Sequence, residues 1–360
     1  MDSAVRRDST TVTSPAQLGY RMPAEFEPHA ATWIAWPHHG ADWPGKIAAI
    51  HFVYVEITRA LARSETVRVI VQSPAARTRV RRLLSKAHVP LARVEFFVVR
   101  TNRGWTRDFG PIFVTSHGGV AITDWRFNGW AKYPNHRLDA AATATLATRL
   151  RMRRFVPTKD GRRVVLEGGS IDVNGRGSLL TTEECLLSPV QARNPNLSRA
   201  DIERAFQDYL GVTNVLWLGR GIAGDDTHGH VDDLTRFVNP RTVVTVVEPN
   251  PRDENHAPLA ENLRRLKRMR DQDGRPFTIV ELPMPEPIRY ESLRVPASYA
   301  NFYIANKSVL MPTFNDPHDR IALDTLAQLF PTREIIGIHA VDLVWGLGTL
   351  HCLTQQQPKG

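Results

Sequence analysis

The sequence predicts an α/β protein in which one closed domain holds a single central site. Short apolar segments rich in β-branched residues alternate with segments of helical periodicity, and no long linker divides the chain. The length of 360 residues and the 42% hydrophobic content are enough to bury a large core without disulfides or a metal ion. We expect a disordered N-terminal extension over residues 1–18, which are polar and rich in Ser and Thr, and a single domain over 19–360.

The strand-like and helix-like segments can be assigned from their patterns. Compact β-branched segments predict buried strands at 67–72, 94–98, 120–125, 242–247, 308–311 and 334–338. Helical periodicity predicts helices at 47–62, 197–209, 258–270 and 320–329. Ser198, followed three residues later by Asp201, resembles a capping box at the start of the second helix.

A regular spacing of chemically notable residues suggests repeated structural units. Asp108, Glu167, His230, Asn301 and Cys352 follow one another at intervals of 59, 63, 71 and 51 residues, and each lies near a strand-like segment with small or turn-forming neighbours. The sequence itself does not repeat. The spacing fits supersecondary units arranged around one centre.

Composition excludes several classes of protein. The two cysteines, Cys185 and Cys352, are too few for a disulfide framework, which favours a reducing, cytoplasmic compartment. The chain has neither a secretory signal nor an apolar segment of about 18 residues, so no membrane span is expected. The net charge is +9, but the basic clusters at 77–86, 149–154 and 264–270 are dispersed and lack a nucleic-acid-binding motif. We interpret these clusters as solvated helix faces.

Cys352, near the C-terminus, is a candidate nucleophile. Gly346 and Gly348 precede it, and glycine lets the backbone approach a ligand closely. A cationic substrate beside the thiol would favour the thiolate, which is the form that attacks. The alternative is an incidental core residue. Cys185 lies among acidic and apolar residues, so we interpret it as a buried structural cysteine.

The segment 224–237 is dense in acidic residues and histidines. In an extended strand His230 and Asp232 would face the same side, as an acid–base and a cation anchor. Alternatively, His228 and His230 could bind a metal, although no third His or Cys stands at a zinc spacing. A solvated loop is the remaining interpretation.

Two further carboxylates are candidates for holding a cation. Asp108 is either a turn-forming residue paired with Arg107, or a carboxylate fork for a planar cation on which Trp105 stacks. Glu167 ends a strand before two glycines, and strand-edge solvation is the alternative for it.

Three carboxylates, one histidine and one thiol together suit a guanidinium substrate. Guanidinium is planar, stays charged and offers five donors, so carboxylates along its edges can neutralise and orient it. A thiolate attacks the central carbon while His230 protonates the departing ammonia and then activates water. This scheme needs no metal and no cofactor.

The sequence resembles the agmatine deiminase family, which is related to bacterial peptidylarginine deiminases within the pentein superfamily. The resemblance runs from about Arg21 to Gln357. It is carried by MPAEFEPHAATWIAWPHH, WTRDFGPIFV, FNGW, EGGSIDVNGRGSLLTTEECLLS, RNPNLS, GDDTHGHVDDLTRF, SYANFYIANKSVLMPTF and LHCLTQQQP.

The resemblance implies a five-fold pseudo-symmetric α/β propeller (the pentein fold) with one central site, and 19–360 as a single catalytic domain. By position, Cys352 matches the nucleophile, and His230 matches the acid–base. Asp108 and Asp232 match the carboxylates that hold the guanidinium. Glu167 matches the residue that supports His230.

In the same resemblance Trp105 matches an aromatic wall and Asn301 a polar position near the site. The implied products are N-carbamoylputrescine and ammonia, and a homodimer is expected by the same resemblance. The chain departs from the family pattern at GLGTLHC, at AKYPNHRLD after FNGW and at His228. Deimination of arginine or of peptidyl-arginine, amidino transfer, a non-enzymatic binder and a metallohydrolase therefore stand as alternatives.

Overall fold

The computed structural model describes residues 13–360. Residues 1–12, which form most of the N-terminal extension predicted to be disordered, lie outside the described residues. Within the remainder of that extension, Ala16–Leu18 form a 3₁₀-helix that ends at Gly19, a residue in the left-handed conformation with φ of 79°.

Four sheets share one topology, in which two antiparallel strands are followed by helix and then by a third strand parallel to the second. Their strands, taken sheet by sheet, are Ile112–Ser116, Gly119–Thr123 and Arg154–Phe155; Asp172–Val173, Ser178–Thr182 and Asn214–Leu218; Thr235–Asn239, Thr242–Val247 and Thr278–Pro283; and Tyr303–Ile304, Ser308–Thr313 and Glu334–His339. Parallel strands require a long crossover connection, which the helices supply.

The fifth sheet joins the two ends of the described chain. Its C-terminal strand, Thr354–Pro358, pairs antiparallel with His29–Ala35, which pairs parallel with Thr66–Val71, and that strand pairs parallel with Val94–Val98. The fifth sheet therefore repeats the same ββαβ order with one added strand. Five such units agree with the predicted five-fold arrangement.

The helices of the structure agree closely with the predicted ones. Each of the predicted helices is present, with ends that differ by no more than two residues, and Ser198 and Asp201 form the expected capping box. The described helices are Ile47–Leu61, Pro74–Lys86, Thr106–Phe109, Arg137–Leu150, Glu183–Leu187, Arg199–Leu210, His256–Arg268, His318–Leu329 and Leu350–Leu353. Two short hairpins, Thr158–Lys159 with Arg162–Arg163 and Arg289–Tyr290 with Leu293–Arg294, complete the described elements.

The middle of the molecule is charged although its surroundings are apolar. Arg236, with no exposed surface, donates to Glu25 over 2.9 Å and to Asp172 over 3.1 Å. Arg107 donates to the other oxygen of Glu25, also over 2.9 Å. Buried charges are tolerated only when they are paired and hydrogen-bonded, so this network fixes the backbone segments that meet at the centre.

The basic clusters lie largely on the outside of the molecule. In Pro74–Lys86 the two buried residues are Val80 and Leu84, while the arginines face solvent. None of the helices in residues 13–360 combines the length and the apolar character needed to cross a bilayer.

Candidate active site

Short one-turn segments between the sheets bring the predicted residues together. Asp108 lies in the helix Thr106–Phe109, and Cys352 lies in Leu350–Leu353. Glu167 and His230 each stand immediately before a 3₁₀-helix, Gly168–Ser170 and Val231–Asp233 respectively. Asn301 precedes the strand Tyr303–Ile304. The regular spacing in sequence therefore corresponds to one contribution from each unit to a common centre.

Cys352 is 95% buried and faces acidic groups. Its Sγ lies 3.2 Å from Nδ2 of Asn301, which donates to it, and 3.8 Å from Oδ2 of Asp232. Burial, followed by the negative charges of Asp232, Asp233 and Asp108, raises the pKa of Cys352 well above its usual range, and the Asn301 hydrogen bond opposes this only in part. The thiol is therefore protonated at neutral pH unless a cation binds beside it.

The ring of His230 is buried among three carboxylates, and neither of its nitrogens makes a hydrogen bond within the described residues. Its Nδ1 lies 3.8 Å from Asp108 and 3.9 Å from Asp232, and its Nε2 lies 3.5 Å from Glu167. Burial lowers the pKa of His230, but the surrounding charges outweigh it and hold the pKa well above its usual value. The ring is therefore protonated and can serve as an acid.

The local backbone at His230 differs from the one we expected. His230 and Asp232 do not alternate along an extended strand, because Val231–Asp233 form a 3₁₀-helix. The two side chains nevertheless converge, because His230 precedes the turn and Asp232 lies within it. The predicted proximity is confirmed, whereas the predicted strand is wrong.

Asp108 has both carboxylate oxygens held by donors. The backbone N–H of Gly169 donates to Oδ1 over 3.1 Å, and Nε1 of Trp130 donates to Oδ2 over 2.9 Å. Burial raises the pKa of Asp108 to about 6, although His230 works in the opposite direction. The alternative of an Arg107–Asp108 pair is wrong, because Arg107 binds Glu25 and Gln356 instead.

Glu167 is fully buried, so the strand-edge alternative is wrong. Nε of Arg193 donates to both of its oxygens, over 3.1 and 3.2 Å. Burial raises the pKa of Glu167, but Arg193 and His230 outweigh it and lower the pKa below its usual value. Glu167 therefore stays ionised between Arg193 and His230.

Asp232 is oriented by a histidine that the sequence analysis did not single out. Nδ1 of His351 lies 2.6 Å from Oδ2 of Asp232, and Nε2 of His351 lies 2.7 Å from Glu25. The other oxygen of Asp232, Oδ1, is buried and accepts no hydrogen bond within the described residues. Asp232 is thus fixed with one oxygen available for a ligand.

Asn301 holds the nucleophile segment from the neighbouring unit. Its Oδ1 accepts from the hydroxyl of Thr349 over 2.8 Å and from the backbone N–H of His351 over 3.0 Å. Its Nδ2 donates to Asp233 as well as to Cys352. One amide group therefore sets the position of the segment that carries the thiol.

A cavity of about 100 Å³ opens onto Cys352 and Asp108. Trp105 and Trp130 lie in its wall, and Trp105 packs against Trp43 with ring centroids 5.2 Å apart. Farther along the cavity, Arg103 pairs with Asp42 and lies over the ring of Tyr133, whose hydroxyl donates to Asp226 over 2.7 Å. The cavity is narrow, aromatic along its sides and acidic at its base.

Within residues 13–360, the side chains of His228 and His230 do not share a metal site, so that alternative is wrong. Nε2 of His228 lies 3.1 Å from the hydroxyl of Ser188, and its Nδ1 lies 4.0 Å from Glu184, away from the cluster around His230. In that part of the chain, the groups close enough to share an ion are Glu167, Cys185 and His230, and Asp232, Asp233 and Cys352.

Several functional groups at this centre escaped the sequence analysis. They are Glu25, Trp130, Arg193, Arg236 and His351. All five lie inside the segments that carry the family resemblance, and His351 is the immediate neighbour of the candidate nucleophile. Only the fold shows that their partners are distant carboxylates.

Comparisons with known proteins agree with this geometry. The family model described as Porphyromonas-type peptidyl-arginine deiminase matches residues 21–358. The agmatine deiminase of Pseudomonas aeruginosa (strain LESB58) is 34% identical over 375 residues, which cover 97% of this chain and 98% of that protein.

Solved structures show the same fold. The Enterococcus faecalis agmatine deiminase is similar with a TM-score of 0.88 and 33% identity, covering 97% of this chain and 98% of that one. An amidinotransferase from Microseira wollei shares the fold alone, with a TM-score of 0.52 and 11% identity over 94% of this chain and 97% of that one. The predicted α/β pentein fold is confirmed.

Proposed function

Since the chain belongs to the family of Porphyromonas-type peptidyl-arginine deiminases and agmatine deiminases, we propose that it hydrolyses agmatine to N-carbamoylputrescine and ammonia. The observation that carries the proposal is the position of Asp232. One of its oxygens is held by His351, the other accepts no hydrogen bond within the described residues, and Sγ of Cys352 lies 3.8 Å away. A guanidinium supplies the donors that this buried carboxylate needs.

Electrostatics explains how the substrate activates its own nucleophile. A guanidinium bound between Asp108 and Asp232 adds a positive charge beside Cys352, where three carboxylates otherwise raise the pKa of the thiol. A positive charge close to an acidic group favours the ionised form of that group, which here means the thiolate of Cys352 and the carboxylates of Asp108 and Asp232. The thiolate therefore forms when substrate is bound, which limits reaction of the free thiol with other electrophiles.

The first half of the reaction replaces a C–N bond with a C–S bond. The Cys352 thiolate attacks the central carbon of the guanidinium and gives a tetrahedral adduct. Protonated His230 donates its proton to the departing nitrogen, which leaves as ammonia, and a thiouronium remains on Cys352. Glu167, held by Arg193, stabilises the protonated form of His230 before this step.

The second half uses His230 as a base. The neutral ring removes a proton from water, and the resulting hydroxide attacks the thiouronium carbon. Collapse of this second adduct breaks the C–S bond, and the hydroxyl proton passes to the departing sulfur, which leaves the neutral ureido product and the Cys352 thiol. Asp108 and Asp232 hold the remaining nitrogens through both steps, and the aromatic wall at Trp105 and Trp130 limits access of bulk water.

The narrow cavity supports a small, unbranched substrate. Its aromatic walls at Trp105 and Trp130 and its acidic base at Asp108 suit an alkyl chain ending in guanidinium. The carboxylates farther out, Asp42 and Asp226, are already paired with Arg103 and Lys132. Arginine and peptidyl-arginine are the competing substrates, and amidino transfer is the competing reaction on the same fold.

The test is release of ammonia and ureido product from agmatine, free arginine and a blocked peptidyl-arginine. We expect wild-type protein to turn over agmatine, and Cys352→Ala to lose turnover but still bind it. Substantial activity in Cys352→Ala would overturn the covalent mechanism. Turnover of another guanidine would keep the chemistry and change the substrate, and acceleration by an added amine would indicate amidino transfer.

Three further properties are part of the proposal. The two described cysteines are both free, which supports a cytoplasmic location. We also propose that 19–360 form a single catalytic domain and that the protein is a homodimer. Sedimentation equilibrium of the full chain tests the dimer, and one cooperative unfolding transition is expected for a single domain.

A further inference from the structure

A second buried thiol lies beside the acid–base residue, and the proposed reaction does not use it. Cys185 has no exposed surface and belongs to the short helix Glu183–Leu187. Its Sγ, a carboxylate oxygen of Glu167 and a ring nitrogen of His230 all lie within 4.8 Å of one another. Burial of Cys185 agrees with the structural interpretation, but its neighbours are those of a ligand site.

The two ring nitrogens of His230 face different surroundings. Nδ1 lies toward the substrate carboxylates, 3.8 Å from Asp108 and 3.9 Å from Asp232. Nε2 lies on the other side, 3.5 Å from Glu167. Neither nitrogen makes a hydrogen bond within the described residues, although His230 is 99% buried. Buried polar atoms nearly always have a hydrogen-bond partner, and the ion-pair contact of 3.5 Å with Glu167 is too long to supply a good one, so Nε2 and the Glu167 oxygen can share a ligand placed between them.

We propose that Glu167, Cys185 and His230 form a binding site for a thiophilic divalent cation, best matched by Zn²⁺, and that occupancy of this site inhibits the enzyme. Sulfur, imidazole nitrogen and carboxylate oxygen are the donors that Zn²⁺ uses, and three protein ligands leave a fourth position for water. The binding claim stands on geometry alone, while the inhibition claim rests on the proposed function.

Inhibition is expected because the ion binds the electron pair on Nε2 of His230 that would otherwise hold a proton. An ion on Nε2 of His230 prevents the ring from carrying a second proton, so it cannot protonate the departing ammonia. Glu167 gives one oxygen to the ion and keeps the other for Arg193, whose remaining nitrogens are anchored on the backbone oxygens of Gln191 and Thr227. Arg193 therefore need not leave when the ion binds.

A competing location must be separated from this one. Asp232, Asp233 and Cys352 also lie within the same distance of one another. An ion there would bind the nucleophile and would be displaced by substrate. Removal of one thiol at a time distinguishes the two locations.

Direct binding is measured with Co²⁺, whose charge-transfer absorption reports a thiolate ligand. In Cys352→Ala, which lacks the competing thiol, we expect one equivalent of Co²⁺ and a sulfur-to-cobalt band. The double variant Cys352→Ala/Cys185→Ser should lose the band while its thermal unfolding shows an intact fold. Absence of the band in folded Cys352→Ala would overturn the proposal. This result does not depend on which guanidine the enzyme uses.

Inhibition is measured with buffered free Zn²⁺, each protein being normalised to its own rate without metal. Loss of a ligand should raise the inhibitory Zn²⁺ concentration about tenfold or more in Cys185→Ser, and a chelator should restore wild-type activity. If Cys185→Ser folds and is inhibited as strongly as wild type, the ion acts at Cys352 and the proposal is wrong. Cys185→Ala repeats the test without a buried hydroxyl.

Discussion

His351 holds Asp232 through a hydrogen bond of 2.6 Å from Nδ1 to Oδ2. The second ring nitrogen lies 2.7 Å from Oε2 of Glu25, so the ring is held between two buried carboxylates. This contact at both nitrogens gives Asp232 a single orientation, with Oδ1 directed to the position we assign to the guanidinium. His351 is therefore a positioning residue.

Replacing His351 with Gln should impair both stability and substrate binding. The change leaves two buried carboxylates short of a partner, which costs about 3–5 kcal/mol in the free energy of unfolding. Because Asp232 holds the substrate in both steps of the proposed mechanism, we expect KM to rise more than kcat falls. Urea unfolding and steady-state kinetics measure the two effects.

His318→Gln, which removes a half-exposed pair with Asp316, should change stability by about 0.5 kcal/mol or less. An unchanged KM in His351→Gln would contradict the positioning role.

The pKa of Asp108 predicts an acidic limb in the pH profile. Burial raises this pKa to about 6, so the carboxylate becomes neutral as pH falls through that value and no longer pairs with the guanidinium. We expect kcat/KM to fall about tenfold per pH unit below pH of about 6. Asp108→Asn should lower kcat/KM about tenfold to a hundredfold and remove the limb.

A buried aspartate outside the site is the control for that limb. Asp124 is also buried with a raised pKa but pairs with Arg154 and Arg163. Asp124→Asn should keep the limb of the wild-type profile. If Asp108→Asn kept it as well, another group would control the acidic side.

Asn301 should act on the nucleophile rather than on substrate affinity. Its Nδ2 donates to Sγ of Cys352 and opposes the rise in the pKa of the thiol. Asn301→Ala should lower kcat about tenfold to a hundredfold with a smaller change in KM, because a hydrogen bond to a charged group contributes about 1.5–3 kcal/mol. The pH dependence of Cys352 alkylation should shift upward. Asn262→Ala, another buried bridging asparagine, should leave that profile unchanged.

Asp139 should make the protein less stable as pH rises. Burial raises its pKa to about 7, although the backbone N–H groups of Asn102 and Arg103 donate to it. Its contribution is fully present below the unfolded pKa of about 3.9 and is lost as pH rises through about 7. Urea unfolding should show a loss of about 1–4 kcal/mol from this group.

A pair of variants isolates that contribution. Asp139→Asn keeps an acceptor oxygen for the two backbone groups and should flatten the decline in stability. Asp324→Asn, at an exposed surface pair with Arg320, should not. An equal decline in Asp139→Asn and wild type would exclude Asp139 as its source.

Local patterns predicted the elements and the residues that line the site. The strand Val94–Val98 and the cap at Ser198 could be assigned because β-branched runs and capping boxes are local signals. The residues Asp108, Glu167, His230, Asp232, Asn301 and Cys352 converge as expected, and Trp105 lies in the cavity wall. Their catalytic and binding roles stay predictions until the variants are measured.

The residues that escaped prediction act through partners far along the chain. Glu25 and His351 are 326 positions apart, and no periodicity connects them. The sequence pairs Arg107 with its neighbour Asp108, yet Arg107 binds Glu25, which lies far away along the chain. The polar alternation after His230 suits both a strand and a 3₁₀-helix, and it predicts a strand where the structure has the 3₁₀-helix. Long-range pairing of charges is decided by the fold as a whole.

The strand Thr354–Pro358, which closes the fifth sheet against His29–Ala35, begins two residues after Cys352. During synthesis this strand is the last of the described strands to be made. The ring of units therefore cannot close, nor Cys352 meet Asp232, before this strand has been made. A chain cut short before Thr354 retains the Cys352 thiol but leaves the fifth sheet without the strand that pairs with His29–Ala35.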